Sequence, residues 1–240
     1  MKIPLSWLKK YVRIDTDPED IARLMTLAGT EVTQITRLGL EWDRDLIKVA
    51  EVKSIQPHPN ADRLVLPTLD IGTSSDVTVV CGADNIRVGQ KVAFARAGAN
   101  LCNPKSGNLE KLNPTKIRGI LSEGMVCSGL ELGLNDNHEG ILVLADTCNP
   151  GTPLVDLLGD IILETDLTPN RPDCLSMIGT AYEIAALTQE PVIIPSCDYP
   201  TSKEDVSSLI SLEITDQDLC PRYTATVIKD IEVGPSPMWL

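Results

Sequence analysis

Ile47-Lys-Val-Ala-Glu-Val-Lys-Ser-Ile55 is the stretch on which the fold turns. Apolar and polar residues alternate along it, the two-residue period of a strand with one face in a core and the other in water. Four more short runs further along share this character: Leu64–Ile71, Val77–Cys81, Lys91–Ala95 and Gly124–Ser128. Gly, Pro and Asn, the residues that make turns, separate them. Pro67 inside the second run has no N–H to donate to a neighbouring strand, so an edge position or a bulge is expected there. Five short strands joined by long loops predict a small closed barrel over residues 40–150, and the five-stranded OB-fold is the most economical form of it.

Helix signals lie on both sides of this barrel. Asp17-Pro18-Glu19-Asp20 reads as a helix start, with a capping aspartate, a proline where an N–H is dispensable, and acids at the positive end of the helix dipole. Ile21, Leu24, Met25 and Ala28 then share one face, and Gly29 stops the helix. A shorter helix from Ser6 would set Trp7, Leu8 and Tyr11 against it. Beyond the barrel, Thr152 is expected to cap a short helix over 153–158. Ser176 should cap a longer one reaching Gln189, with Ile178, Ala181, Tyr182 and Ala185 on one face. Pro191, Pro195 and Pro200 make a linker, and Leu209–Ile214 and Tyr223–Ile228 read as strands of a further domain. The apolar ending Pro237-Met-Trp-Leu240 reads as a cut inside that domain.

The 240 residues carry a formal charge of −13 and are 42% hydrophobic, without an apolar run near the roughly 20 residues that span a bilayer or a secretion signal at the start. Seven cysteines, spaced 21 to 26 residues apart with no C-x-x-C pair, read as reduced, mostly buried thiols of a cytoplasmic protein. Neither of the two histidines has a Cys or His at ligand spacing, so no metal site is expected. Glycine-rich phosphate loops are absent, which leaves no recognisable ATP site.

The acidity is uneven: residues 151–240 carry −11, residues 40–150 carry −3 and residues 1–39 carry +1. Between Ile86 and Ser122 the balance reverses, with seven cations (Arg87, Lys91, Arg96, Lys105, Lys111, Lys116, Arg118) against the single anion Glu110. A cationic band on an acidic body suits a phosphate-bearing partner, because Lys and Arg displace condensed counterions. Only Trp42 and Phe94 are aromatic within residues 40–150, too few for a base-stacking platform, so contact by phosphate and shape is expected.

Three motifs carry alternative readings. In Gln56–Arg63 two prolines stiffen a loop, Asn60 and Asp62 suit a turn, and His58 and Arg63 could meet phosphate or a base edge. In Ser122–Ser128, Gly124 permits a tight entry into a strand. Cys127 lies close to Glu123, the wrong field for a reactive thiol, so no catalytic residue is expected. Thr168-Pro-Asn-Arg-Pro-Asp173 reads as a rigid docking turn around Arg171.

Taken in order, several segments resemble the N-terminal part of the bacterial phenylalanyl-tRNA synthetase beta-subunit family. They are Ile3–Leu8, His58–Leu64, Val80–Ala83, Ile117–Gly119, Ser122–Ser128, Glu131–Leu134 and Thr168–Ser176. Pro67 departs from the family's usual pattern. The resemblance implies an α+β, multi-domain chain. An OB-fold tRNA-binding domain (40–150) would be inserted into a small helical domain (1–39 and 151–195), followed by a linker and the truncated start of an editing-type α/β domain (196–240). It implies a non-catalytic piece, inactive alone, of a complex that ligates phenylalanine to its tRNA with ATP and magnesium. The partners would be tRNA, the alpha subunit and the remaining beta-subunit domains, with no membrane. Arg63, Arg87, Lys91, Arg96, Lys105, Lys116 and Arg118 are the expected tRNA contacts. A protein-interaction scaffold with little tRNA contact is the alternative.

Overall fold

The computed structural model describes residues 1–136, 138–234 and 236, which fall into two units, Met1–Ile194 and Pro195–Leu240. The first unit begins with β1 (Lys2–Pro4), α1 (Leu5–Leu8), α2 (Pro18–Leu27) and β2 (Glu31–Leu38). The middle of the chain supplies β3 (Ile47–Pro57), β4 (Val65–Asp70), β5 (Val77–Thr78), β6 (Lys91–Arg96), β7 (Asn100–Cys102) and β8 (Leu109–Lys111). It continues with β9 (Thr115–Ile117), β10 (Ile120–Ser122), β11 (Gly124–Val126) and β12 (Val143–Leu144). α3 (Leu154–Leu158), β13 (Asp160–Asp166), a 3-10 turn at Pro172–Leu175 and α4 (Met177–Thr188) follow.

The opening stretch becomes β3, the shared strand of a curled antiparallel sheet in the order β11-β6-β3-β4-β5, with β12 also on β6. Its pattern is denser than a simple alternation because β3 buries side chains on both faces. Ile47 and Val49 join Ala93, Ala95 and Leu101 in one core, whereas Ala50 and Val52 join Val92, Phe94 and Leu69 in another.

A closed five-stranded barrel was expected, and here the structure corrects the sequence reading. The sheet has six strands, and among the described residues no ladder joins β5 to β11. A side chain bridges that seam instead: the buried Ser122 hydroxyl accepts the Val80 N–H at 3.1 Å and donates to the Gly124 carbonyl at 2.8 Å. Ser122→Ala strands the buried Val80 N–H and is expected to cost about 1–3 kcal/mol, read by urea denaturation. A loss indistinguishable from zero would mean that water replaces the hydroxyl.

Pro67 is not at an edge; it is buried between β3 and β5. Its carbonyl accepts the Val79 N–H at 3.1 Å, and Val65 and Cys81 exchange both backbone bonds at 2.9 Å, so β4 and the expected strand 77–81 stay in register. Pro67 has no N–H to return to Val79, which is why the regular part of β5 shrinks to two residues. The register shift lies in the partner strand, between Val52 and Ser54.

The flanking segments are not purely helical. β1, β13 and β2 form a three-stranded antiparallel sheet, with Ile3 opposite Leu163 and Ile162 opposite Thr36. α1, α2 and α4 pack on it through Leu5, Leu8, Ile21, Met25, Ala181 and Ile184. Residues 31–38 are rich in β-branched Val, Thr and Ile, which prefer the pleated surface.

The helix signals hold in part. Pro18 occupies the first turn of α2, but Asp17 makes no side-chain cap, and Ala22 rather than Ala28 is buried. Ser176 caps α4 by accepting the Gly179 N–H at 3.0 Å. Thr152 caps nothing, because Pro153 and not Thr152 occupies the N-cap position of α3, and no side chain caps that helix. On α4, Ala181 and Ala185 face the core as expected, while Ile178 and Tyr182 are exposed, as is Trp7 on α1.

The second unit corrects another expectation. Its described residues hold only a 3-10 turn at Val206–Ser208, and neither 209–214 nor 223–228 is a strand. A strand needs a partner ladder, and Leu212, Tyr223 and Ile228 remain exposed without one. The apolar ending 237–240 lies outside the described residues.

Candidate nucleic-acid interface

The cationic residues separate into those the fold consumes and those it leaves free. Lys91, largely buried at one end of β6, is ion-paired to Glu51 on β3, which also meets Lys53 at 3.2 Å; Lys53 in turn reaches Asp70 on β4 at 3.5 Å. The Lys91 and Lys53 ammonium groups hold the Glu51 carboxyl below its ordinary range. Arg87 folds onto its own loop, donating from its guanidinium to the Asp84 and Ile86 carbonyls. These two cations serve the sheet and its turn.

Arg63, Arg96, Lys105, Lys111, Lys116 and Arg118 are exposed, and none forms an ion pair among the described residues. They do not form one continuous band. Lys105 and Lys111 belong to the β7–β8 hairpin, where Asn100 pairs with Lys111, and Arg96 closes β6 opposite Gly124. Lys116 and Arg118 belong to the β9–β10 hairpin, in which Ile117 faces Ile120 across a two-residue turn. Both hairpins fall in a region read from sequence as loop.

The loop carrying Arg63 is fastened to that second hairpin. Asn60 donates its backbone N–H to His58 Nδ1 at 3.1 Å, so Nε2 bears the proton and donates to the Ile117 carbonyl at 3.3 Å. The Asn60 side-chain amide donates to the Arg118 carbonyl at 3.0 Å. His58 is thereby a buried, satisfied histidine that positions the loop. Asn60 holds the hairpin rather than only its own turn, a role for which the sequence carries no local signal.

One polar cluster was not anticipated. The Ser128 hydroxyl lies 3.1 Å from His138 Nδ1 and donates to Glu131 Oε2 at 2.9 Å, and Glu131 also accepts the Ser128 N–H at 2.7 Å. The carboxylate competes for the hydroxyl instead of orienting the imidazole from behind, so the arrangement lacks the order of a proton relay. Burial pushes the Cys127 thiol well up, with the Glu131 charge adding to it, which opposes thiolate formation. Arg171, the centre of the expected docking turn, reaches Asp173 at 3.0 Å and Glu183 on α4 at 2.6 Å, and its charge holds the Asp173 carboxyl down to about 2. It ties the turn to the helix.

A small curled β-module with free cations on paired hairpins is the form of a nucleic-acid-binding domain. Residues 47–153 match the family described as "Putative tRNA binding domain". Along its whole length the chain is homologous to bacterial phenylalanine–tRNA ligase beta subunits. It is 44% identical to that of Dehalococcoides mccartyi (strain ATCC BAA-2266 / KCTC 15142 / 195) and 41% identical to that of Syntrophus aciditrophicus, in each case over 100% of this chain. The chain spans 29% of the length of these relatives. Among solved structures, a MetRS related protein from Pyrococcus horikoshii overlaps 45% of this chain and 86% of its own, at 23% identity and a TM-score of 0.32, too slight a likeness to bear on the fold.

Proposed function

We propose that this chain is the tRNA-docking and assembly part of a phenylalanyl-tRNA synthetase beta subunit, and that its half-barrel grips folded tRNA through phosphates. The observation that carries this reading is the pairing of loop 58–63 with the β9–β10 hairpin, which presents Arg63, Lys116 and Arg118 with no acidic partner among the described residues. Arg96, Lys105 and Lys111 add a weaker periphery, and Lys91 and Arg87 drop out because the fold uses them. The division into residues 1–39, 40–150, 151–195 and 196–240 belongs to this reading, as do a cytoplasmic setting and an alpha-subunit partner. No helix among the described residues is long and apolar enough to cross a membrane.

In the parent reaction phenylalanine is joined to tRNA at the expense of ATP, with magnesium. The described residues gather no group of three or more His, Cys, Asp or Glu that could hold a metal ion. Filter binding of the 240-residue chain to tRNA from low to high salt tests the reading: affinity should fall steeply, as the logarithm of the salt concentration rises, by about 0.7–0.9 log units per phosphate contacted. Absence of binding even at low salt leaves the scaffold reading. That alternative has its own support in the exposed apolar side chains Leu175, Ile178 and Tyr182 on α4 and the turn before it.

A further inference from the structure

We infer that the tip of the β9–β10 hairpin is a preset clamp for an RNA backbone phosphate. Arg118 is the contacting residue, Asn60 the positioning residue, and Lys116 and Arg63 complete the charge. The inference rests on the tRNA-docking reading and narrows it to one place.

The backbone is the starting point. Ile117 pairs directly with Ile120, so the turn contains only Arg118 and Gly119, and both have positive φ, +48° and +96°. Such a turn matches the right-handed twist of its strands, and its first position is normally Asn, Asp or Gly. Glycine suits the second position here, but arginine at the first carries a Cβ into the left-handed region with no short polar group to relieve it. An Asn-Gly sequence would form this hairpin better. The side chain set there is long, exposed, cationic and unpaired among the described residues. A backbone outlier held against propensity, at the tip of a hairpin, points to a role for its side chain.

Tertiary contacts hold the outlier in place. The two carbonyls entering the turn, those of Ile117 and Arg118, are both taken by the distant loop through His58 Nε2–H and the Asn60 amide. His58 is itself locked by the Asn60 N–H. The hairpin tip is thus fastened before any ligand arrives, so little ordering entropy remains to oppose binding. Arg63 leaves the same loop three residues beyond Asn60, and Lys116 stands two residues before Arg118. A forked guanidinium, with two further cations carried on the same two latched segments, suits the tetrahedral oxygens of a phosphodiester.

Arg118→Asn separates function from fold, because it converts the turn to Asn-Gly while deleting the charge. Expected in the 240-residue chain are a melting temperature unchanged or raised by about 1–3 °C, tRNA affinity weakened about 2–5-fold at low salt, and a salt slope smaller by about 1. Arg118→Lys should keep the slope. Asn60→Ala leaves every charge in place, so affinity should fall several-fold with the slope unchanged. Inorganic phosphate at matched ionic strength should compete poorly; displacement of tRNA by low millimolar phosphate would assign the clamp to the free anion. Unchanged tRNA affinity in Arg118→Asn, or a loss of affinity only in step with a fall in melting temperature, overturns the clamp while leaving the wider docking reading standing. A wild-type chain that binds no tRNA overturns both.

Discussion

The variant carrying Arg63→Ala, Lys116→Ala and Arg118→Ala together is expected to bind tRNA about 10- to 100-fold more weakly at low salt. The figure assumes that each exposed charge contributes about 0.5–1 kcal/mol toward a phosphate. The logarithmic salt slope should shrink by about 2–3, since each lost cation no longer releases its condensed counterions. The fold should tolerate the change, because all three side chains are exposed and unpaired among the described residues. Lys91→Ala is the matched control. Its ammonium is already neutralised by Glu51 across the sheet, so its removal should leave the slope alone and lower stability instead. A triple variant whose slope equals that of the wild type would reduce the free cations to an ordinary solvated surface.

Phe94→Ala is expected to destabilise the first unit by about 3–5 kcal/mol, a large share of the 5–15 kcal/mol typical of a folded domain. Phe94, the only phenylalanine in the chain, is 1% exposed and lies in the core with Val52, Leu69 and Val126. The neighbouring strand gives way to it: a Cβ on Gly124 would stand 2.6 Å from both the ring and the Ala95 carbonyl. Gly124 has no side chain to fall into the space left by the ring, so the cavity should stay open. Urea denaturation at constant m-value reads the loss, and a change below about 1 kcal/mol would mean that the curled sheet collapses to fill the gap.

How far the chain could be read without coordinates depended on the range of the interaction behind each feature. Pro18 in the first turn of α2 and the Ser176 cap act within one helical turn, and both appear where expected. The alternation in 47–55 and the runs expected at 64–71 and 91–95 are local patterns too, and each became a strand, with ends shifted by a residue or two. The strand at 31–38 was hidden because its partner, Asp160–Asp166, lies more than a hundred residues away, and the helix signals before it dominated the window. The β9–β10 hairpin escaped because its turn is Arg-Gly rather than Asn-Gly, so the usual turn signal was absent.

The candidate site divides the same way. Composition alone located the cationic segment between Ile86 and Ser122 and excluded an aromatic stacking surface. Charge counting has no access to pairing: Lys91 and Lys116 are equivalent in one dimension, yet one faces Glu51 across a β-ladder and the other faces water.

By itself, then, the sequence determined several of the local elements, the acidic body with its reversed middle, and the order of the motifs on which the family resemblance rests. Only the tertiary structure decided that the sheet stays open at the seam bridged by Ser122, that the flanking segments share a sheet, and that Arg63, Lys116 and Arg118 stand on two segments latched by His58 and Asn60. The reason is physical. Capping and periodicity are set by neighbours along the chain, whereas strand closure and the freedom of a charge are set by whatever the fold brings alongside.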